Sequence, residues 1–195
     1  WFDNVVVLNW FAHNFFPSYY LEIGVRRGRS LVQVMSASPL TRCYGFDMWL
    51  QGYSGEANPG PDFVLAELRK AGVLSEPVLI VGDSHVTVPQ FFDNPVNPQQ
   101  FELILVDGDH SYQGAKADLA VAFNHLAPGG LLVFDDIRHT SHPELAQLWQ
   151  EIRNGFPEYL FIEDTSGNGT GCCFKPPFDR LLQKLSGSLT NSSSI

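Results

Sequence analysis

Short apolar runs alternate with stretches of helical spacing along most of the chain. Five such runs cover residues 19–25, 42–47, 78–81, 101–106 and 131–134. Each is too short for a helix and is bounded by Gly, Pro or acidic residues, so each is predicted as a strand. Helices are predicted between them. One spans 29–37 and stops before Pro39. Another spans 63–71, with Asp62 as N-cap and Gly72 as its close. A short one covers 88–92. The helix after residue 111 carries Tyr112, Ala115, Leu119, Ala122 and Leu126 on one face. Ala127-Pro128-Gly129-Gly130 is predicted to stop it sharply before the fifth strand. A helix over 143–154, with Pro143 in its first turn, precedes two late strands at 159–162 and 171–174. A Gly-rich hairpin joins those two. At the front, residues 3–16 form an amphipathic helix with Val7, Leu8, Phe11 and Phe15 on one face, ended by Pro17-Ser18.

Strands that read as unbroken apolar runs are buried on both faces, which means a parallel sheet covered by helices on each side. The expected fold class is therefore α/β, with the closing hairpin adding one antiparallel strand. No internal repeat interrupts the pattern. The organisation expected is an N-terminal helical segment at 1–18, one domain at 19–176, and a polar, Ser-rich tail at 177–195, partly disordered.

Composition narrows the functions. With 195 residues, one domain with a sizeable core is expected. A net charge of −9 argues against a nucleic-acid groove and against an anionic membrane surface. Arg26, Arg27 and Arg29 still form a local basic cluster. Three cysteines cannot all pair, and Cys172 and Cys173 are adjacent, which is poor bridging geometry. A reducing, cytoplasmic setting is the simpler inference. The apolar N-terminus is broken by Asn9, His13 and Asn14, so it reads as neither signal peptide nor membrane span. The first residue is Trp rather than Met, which leaves open a fragment or a processed chain.

Chemistry concentrates where the strands end. The run 101–106 breaks into Asp107-Gly108-Asp109-His110, and the run 131–134 into Asp135-Asp136. Carboxyl ends of strands are where ligands bind in open α/β sheets. Acids placed there cost stability unless they meet a cation or a donor. The first turn reads Glu22-Ile23-Gly24-Val25-Arg26-Arg27-Gly28-Arg29-Ser30. Gly24 and Gly28 allow close backbone approach to a ligand, although the spacing is G-x-x-x-G and not the dinucleotide G-x-G-x-x-G. Asp47 ends the next strand, where an acid can hold the two hydroxyls of a ribose. Gly82-Asp83-Ser84 ends the third and offers partners for an adenine amino group.

Glu22-Ile23-Gly24…Gly28-Arg29-Ser30, Tyr44-Gly45-Phe46-Asp47, Val81-Gly82-Asp83-Ser84, Asp107-Gly108-Asp109-His110-Ser111-Tyr112, Pro128-Gly129-Gly130 and Phe134-Asp135-Asp136 together resemble the class I S-adenosylmethionine-dependent methyltransferases. The similarity is greatest to the small-molecule O-methyltransferase branch, with its catechol-type and antibiotic-sugar enzymes. It spans roughly residues 19–175. The resemblance implies a three-layer Rossmann-like sandwich with a seven-stranded, mostly parallel sheet whose last strand is antiparallel. It implies that Glu22, Gly24, Gly28 and Ser30 surround the methionine part of the cofactor. Asp47 would then take the ribose, Asp83 and Ser84 the adenine, and Met48, Asp107 and His110 would also bind the cofactor. In the metal-dependent branch, acids after strands four and five hold a divalent cation. Asp107, Asp135 and Asp136 fall on those positions, a hard oxygen set suited to Mg²⁺, Ca²⁺ or Mn²⁺.

One departure bears on mechanism. Catechol-type enzymes carry a lysine base three residues after the strand-four acid; here that position is His110. Imidazole can serve as base near neutral pH. His110 as base, His110 as a structural group stacked on the cofactor, and Asp107 as base all remain open. His139 and His142 read as surface-loop residues. Residues 48–61, with Trp49 and Tyr53, offer either a substrate lid or a loop packing its own aromatics. Trp1, Trp10, Phe11, Phe15 and Phe16 suit an amphipathic helix on the core, an active-site cap or a homodimer contact. The expected activity is metal-assisted methylation of a hydroxyl on a small molecule. N-methylation, an antibiotic-hydroxylase-like reaction, and a non-catalytic cofactor-binding module are the alternatives.

Overall fold

The structure is a computed structural model that describes residues 2–52 and 58–191, with side chains up to residue 186. Trp1 and Tyr53, named above, lie outside the described residues. Seven strands form one sheet in the order β3-β2-β1-β4-β5-β7-β6. The strands are β1 (Tyr19–Ile23), β2 (Arg42–Asp47), β3 (Val78–Val81), β4 (Phe101–Val106), β5 (Leu126–Asp135), β6 (Leu160–Asp164) and β7 (Thr170–Phe174). β1 through β5 pair in parallel, and β7 runs antiparallel between β5 and β6.

Neighbouring residues of the central strands point to opposite faces, as strand geometry requires. Leu103 and Leu105 pack with α1 (Asn4–Phe15), α2 (Arg29–Ala37), α3 (Pro61–Lys70) and Leu181 of α7 (Asp179–Asn191). Ile104 and Val106 pack with α4 (Ser84–Asp93), α5 (Tyr112–His125) and α6 (Glu144–Gly155). The result is the expected three-layer sandwich with a core on each face of the sheet. Among the described residues, no helix is long and apolar enough to cross a membrane.

The N-terminal helix belongs to the body of this domain. Leu8, Phe11, Ala12 and Phe15 are buried, and α1 lies against α2. Its outer face keeps Val6 and Trp10 partly in solvent.

Several boundaries differ from expectation, each for a local reason. β1 ends at Ile23, because Gly24 turns with φ of 93°. Asp62 is not the N-cap of α3; Gly60 is, with Pro61 at the first helical position and Asp62 in the first turn. Helix α4 starts four residues earlier than the pattern suggests. Asp83 caps it by accepting from the His85 N–H at 3.0 Å, and the helix tolerates Pro89 in its interior. Pro128-Gly129-Gly130 does not precede β5 but lies inside it. There the register with β4 shifts, and Gly129 (φ 74°) donates to the Lys175 carbonyl. Such irregularities are how a strand absorbs residues that break the ladder. The tail expected to be partly disordered carries α7, seated by buried Leu181 and by Arg180, which donates to the Phe15 carbonyl at 2.9 Å.

Candidate functional site

Between β1 and β4 the chain order reverses direction across the sheet, so the loops after those strands diverge and leave a crevice. Backbone contacts hold its floor tight. The Asp107 N–H donates to the Ile23 carbonyl and the Gly24 N–H to the Phe46 carbonyl, both at 2.8 Å. A Cβ on Gly24 would stand 1.9 Å from the Asp107 carbonyl oxygen, so only glycine lets these two strand ends meet. Gly28, at φ 76°, is fitted against Val64 of α3.

Two cavities open here. The first, about 450 Å³, follows the ends of β1, β2, β3 and β4 and is lined by Asp47, Met48, Asp83, Ser84, Asp107 and His110 among others. Asp47 is fixed by two backbone donors, the N–H of Arg26 at 2.7 Å and of Trp49 at 2.5 Å. Each of its oxygens keeps a lone pair for a further donor. Met48 and Leu50 supply apolar wall, and Trp49 is buried, its indole N–H donating to the Arg26 carbonyl at 2.9 Å. Asp83 faces the His85 ring at 2.9 Å. Behind that wall lies Asp118, with one oxygen buried without a hydrogen-bond partner among the described residues; burial pushes its carboxyl up to about 6.

The second cavity, about 700 Å³, lies on the α1 side. It shares Asp107, Asp135 and Asp136 with the first, so the two meet at the acids ending β4 and β5. At that junction His110 Nε2 is 3.5 Å from both Asp107 Oδ1 and Asp136 Oδ2. Ligand atoms of these three residues all fall within 4.8 Å of one another. Asp136 takes a left-handed backbone (φ 61°), which turns its carboxylate back towards the crevice. Asp135 is held differently. The Thr170 hydroxyl donates to Oδ1 at 2.9 Å and the Asn4 amide to Oδ2 at 2.6 Å.

The electrostatics of this junction are unbalanced. Burial, with Asp107 and Asp136 nearby, pushes the Asp135 carboxyl up to about 7. Burial also raises Asp107, against the opposing pull of His110. His110 in turn is raised by Asp107. Mutually repelling carboxylates take up protons or bind a cation. A hard, oxygen-rich donor set of this kind fits a divalent ion.

The structure thus brings Gly24, Asp47, Met48, Asp83, Ser84, Asp107, His110, Asp135 and Asp136 around one crevice. Ser30 lines the second cavity. Glu22 opens on neither. It is fully buried, accepting from the Tyr20 hydroxyl at 2.9 Å and from the Ser30 hydroxyl, and burial pushes it up to about 8. Asn4, Asn168 and Thr170 were not anticipated. The hairpin after β6 reaches over the site, where Arg138 N–H donates to the Asn168 carbonyl at 2.6 Å. His139 and His142, read as loop surface, stand with ring centres 5.8 and 5.4 Å from that of His110.

Comparison with known proteins agrees with this geometry. Residues 21–137 match the family described as "Methyltransferase domain". The chain belongs to that family. It is an S-adenosylmethionine-dependent methyltransferase. Among solved structures, it is similar to the O-methyltransferase from Bacillus cereus in complex with S-adenosylhomocysteine. The TM-score is 0.69 at 16% identity, covering 87% of this chain and 79% of that one. It is similar also to the O-methyltransferase TomG from Streptomyces achromogenes, in complex with S-adenosylmethionine (0.69, 19%, 88% and 78%). CalS11, a TDP-rhamnose 3′-O-methyltransferase of calicheamicin biosynthesis, gives 0.62 at 20% identity over 88% and 78%. No curated protein sequence matches the chain.

Proposed function

We propose that this methyltransferase transfers its methyl group to a hydroxyl of a small molecule, and that a divalent cation, Mg²⁺ first among them, assists. The observation that carries the reading is the convergence of Asp107, Asp136 and His110 within 4.8 Å, with Asp135 beside them, where two cavities meet. One cavity suits the cofactor: Asp47 offers lone pairs to ribose hydroxyls, and Asp83 with Ser84 lies where an adenine would sit. The other cavity is then the acceptor's. The named neighbours that methylate oxygen support the choice of acceptor atom.

In this reading Asp107, Asp135 and Asp136 hold the cation, which when bound would supply Lewis acidity to a hydroxyl oxygen. His110 takes the hydroxyl proton on Nε2, and Asp107 and Asp136 stabilise the imidazolium that forms. Thr170 and Asn4 fix the Asp135 carboxylate so that it does not rotate away. Asp47 and the backbone turn at Gly24 keep the donor in line with the acceptor, and this orientation supplies much of the rate. The three thiols are free and buried, which suits a reducing compartment, and we place the protein in the cytoplasm.

The test follows S-adenosylhomocysteine release with catechols and sugar nucleotides as acceptors, with EDTA and with Mg²⁺ added back. Activity should vanish in chelator and return with the metal. It should also fall at low pH, since His110 must be unprotonated to accept the hydroxyl proton. Full activity in EDTA would remove the cation and leave the Asp pair as support for His110.

A further inference from the structure

The loop between β2 and α3 returns to the first cavity at Asn58, which lines it. Asn58 is 4% exposed, and its side-chain oxygen is buried without a hydrogen-bond partner among the described residues. Burying an acceptor that meets no donor is costly, so stability of the fold does not account for this side chain. Two local features hold it in place. Its backbone carbonyl accepts from the Gln51 side-chain amide at 2.5 Å, which ties the end of the loop to its start. Pro59, the next residue, confines the Asn58 backbone to the extended region. Met48 and Leu50, from the start of the same loop, give the cavity apolar wall. The loop therefore offers the cavity an apolar surface and a neutral acceptor still open to a donor.

S-adenosylmethionine brings three sets of donors: the ribose hydroxyls, the methionine ammonium and the 6-amino group of adenine. The two oxygens of Asp47 match the two hydroxyls. The ammonium goes with the methionine part to the β1–α2 turn. The amino group remains, with two N–H bonds on a ring whose faces suit an apolar wall. Asp83 can take one of them, but one of its oxygens is already met by the His85 N–H at 3.0 Å and faces the His85 ring at 2.9 Å. The second N–H needs another acceptor. We propose that Asn58 Oδ1 accepts a hydrogen bond from the 6-amino group of the cofactor's adenine, so that the loop after β2 reads the base. This rests on the reading of the first cavity as the cofactor's. It also carries an energetic signature: the unmet acceptor burdens the empty protein and is satisfied when the cofactor arrives.

The probes are S-adenosylhomocysteine and its purine analogue, in which hydrogen replaces the 6-amino group. Both are titrated by calorimetry into the full chain and into Asn58→Leu, which keeps the side chain's size but cannot hydrogen-bond. The analogue has neither donor nor acceptor at that position, so rotation of the Asn58 amide cannot rescue it. S-adenosylhomocysteine should bind about tenfold more weakly to the variant, and the wild type should lose a similar factor on the change to the analogue. The variant should distinguish the two ligands by no more than about twofold, because both changes remove the same interaction. Ligand-free Asn58→Leu should melt at or above the wild-type temperature, since it deletes an unmet acceptor. Should leucine disturb the loop, Asn58→Ala repeats the same cycle. A variant that loses as much as the wild type on the change of ligand overturns the proposal, whatever its stability. Asp47→Ala separates this outcome from the reading beneath it. Cofactor affinity unchanged in both Asp47→Ala and Asn58→Leu means that the cavity is not the cofactor's, and both fall. Weaker binding by Asp47→Ala, with additive losses at Asn58, overturns the role of Asn58 alone.

Discussion

The two halves of the crevice treat their acids in opposite ways. On the β2–β3 side each carboxylate is met by backbone. Asp47 accepts from the N–H groups of Arg26 and Trp49, and Asp83 caps α4 through the His85 N–H. On the β4–β5 side Asp107 and Asp136 face the same imidazole at 3.5 Å, and Asp135 leans on side chains from distant elements. Backbone donors are fixed by the strand and helix ends themselves, so Asp47 and Asp83 are held in place before any ligand arrives. In the second half burial, with Asp107 and Asp136 nearby, pushes Asp135 up to about 7. A neutral ribose suits the first half, and a cation suits the second.

The comparison is broken most sharply by removing charge from one half only. Asp136→Asn keeps a residue that tolerates φ of 61° and deletes a carboxylate. Methyl transfer should fall by roughly 10²–10³-fold, the scale of losing one electrostatic stabiliser at a reacting oxygen. Affinity for S-adenosylhomocysteine, read by calorimetry, should stay within about twofold, far below the roughly 1.4 kcal/mol that a tenfold change represents. A matched loss of cofactor affinity would mean that the halves are not independent. The reverse experiment is Asp47→Ala. It should weaken S-adenosylhomocysteine binding by roughly 1–3 kcal/mol, the scale of hydrogen bonds to a charged group, without changing the Mg²⁺ concentration needed for half-maximal activity. Unchanged cofactor affinity in this variant would take Asp47 out of the ribose role.

The same division explains what could be read from the chain. Apolar runs that stop at Asp47, Asp107 and Asp135 locate strand ends directly, because burial and polarity change within one residue. The strands β2, β3 and β4 and helix α2 therefore lie where the pattern places them. Capping was less legible. Asp83 looked like a ligand group at a strand end, yet its carboxylate also starts α4. The pairing of Gly129 with Lys175 depends on β7, so a Pro-Gly-Gly stop in sequence becomes part of a strand in three dimensions. Helix α7 was hidden by its serines, and its seat on Phe15 lies 165 positions away. Asn4 and Thr170 hold Asp135 across separations of 131 and 35 residues. No local pattern carries such contacts; only the closed sheet brings them together.

Glu22 stands on β1, between the two halves, and tests the comparison most quietly. It is fully buried, and two hydroxyls, of Tyr20 and Ser30, are its partners. Burial raises it from 4.5 to about 8, despite both hydroxyls and with Asp107 and Asp47 adding to the shift. The folded state therefore favours the protonated acid. Below pH 4.5 both folded and unfolded chains hold the proton, and the stabilising contribution is complete. As pH rises, the unfolded chain releases its proton first, and the contribution is lost progressively until pH passes about 8. Glu22→Gln keeps the shape and the hydroxyl partners but cannot ionise. Urea unfolding at pH 5 and at pH 8.5 should then show the wild type losing roughly 1–3 kcal/mol more than the variant across that interval, each pKa unit being worth about 1.4 kcal/mol. Cofactor affinity should change little, since Glu22 reaches the crevice only through Ser30. Parallel stability profiles for the two proteins would show that Glu22 is already ionised in the fold, with its charge held by the hydroxyls. The negative potential of the β4–β5 half would then extend across β1, and the two halves would share one field rather than divide it.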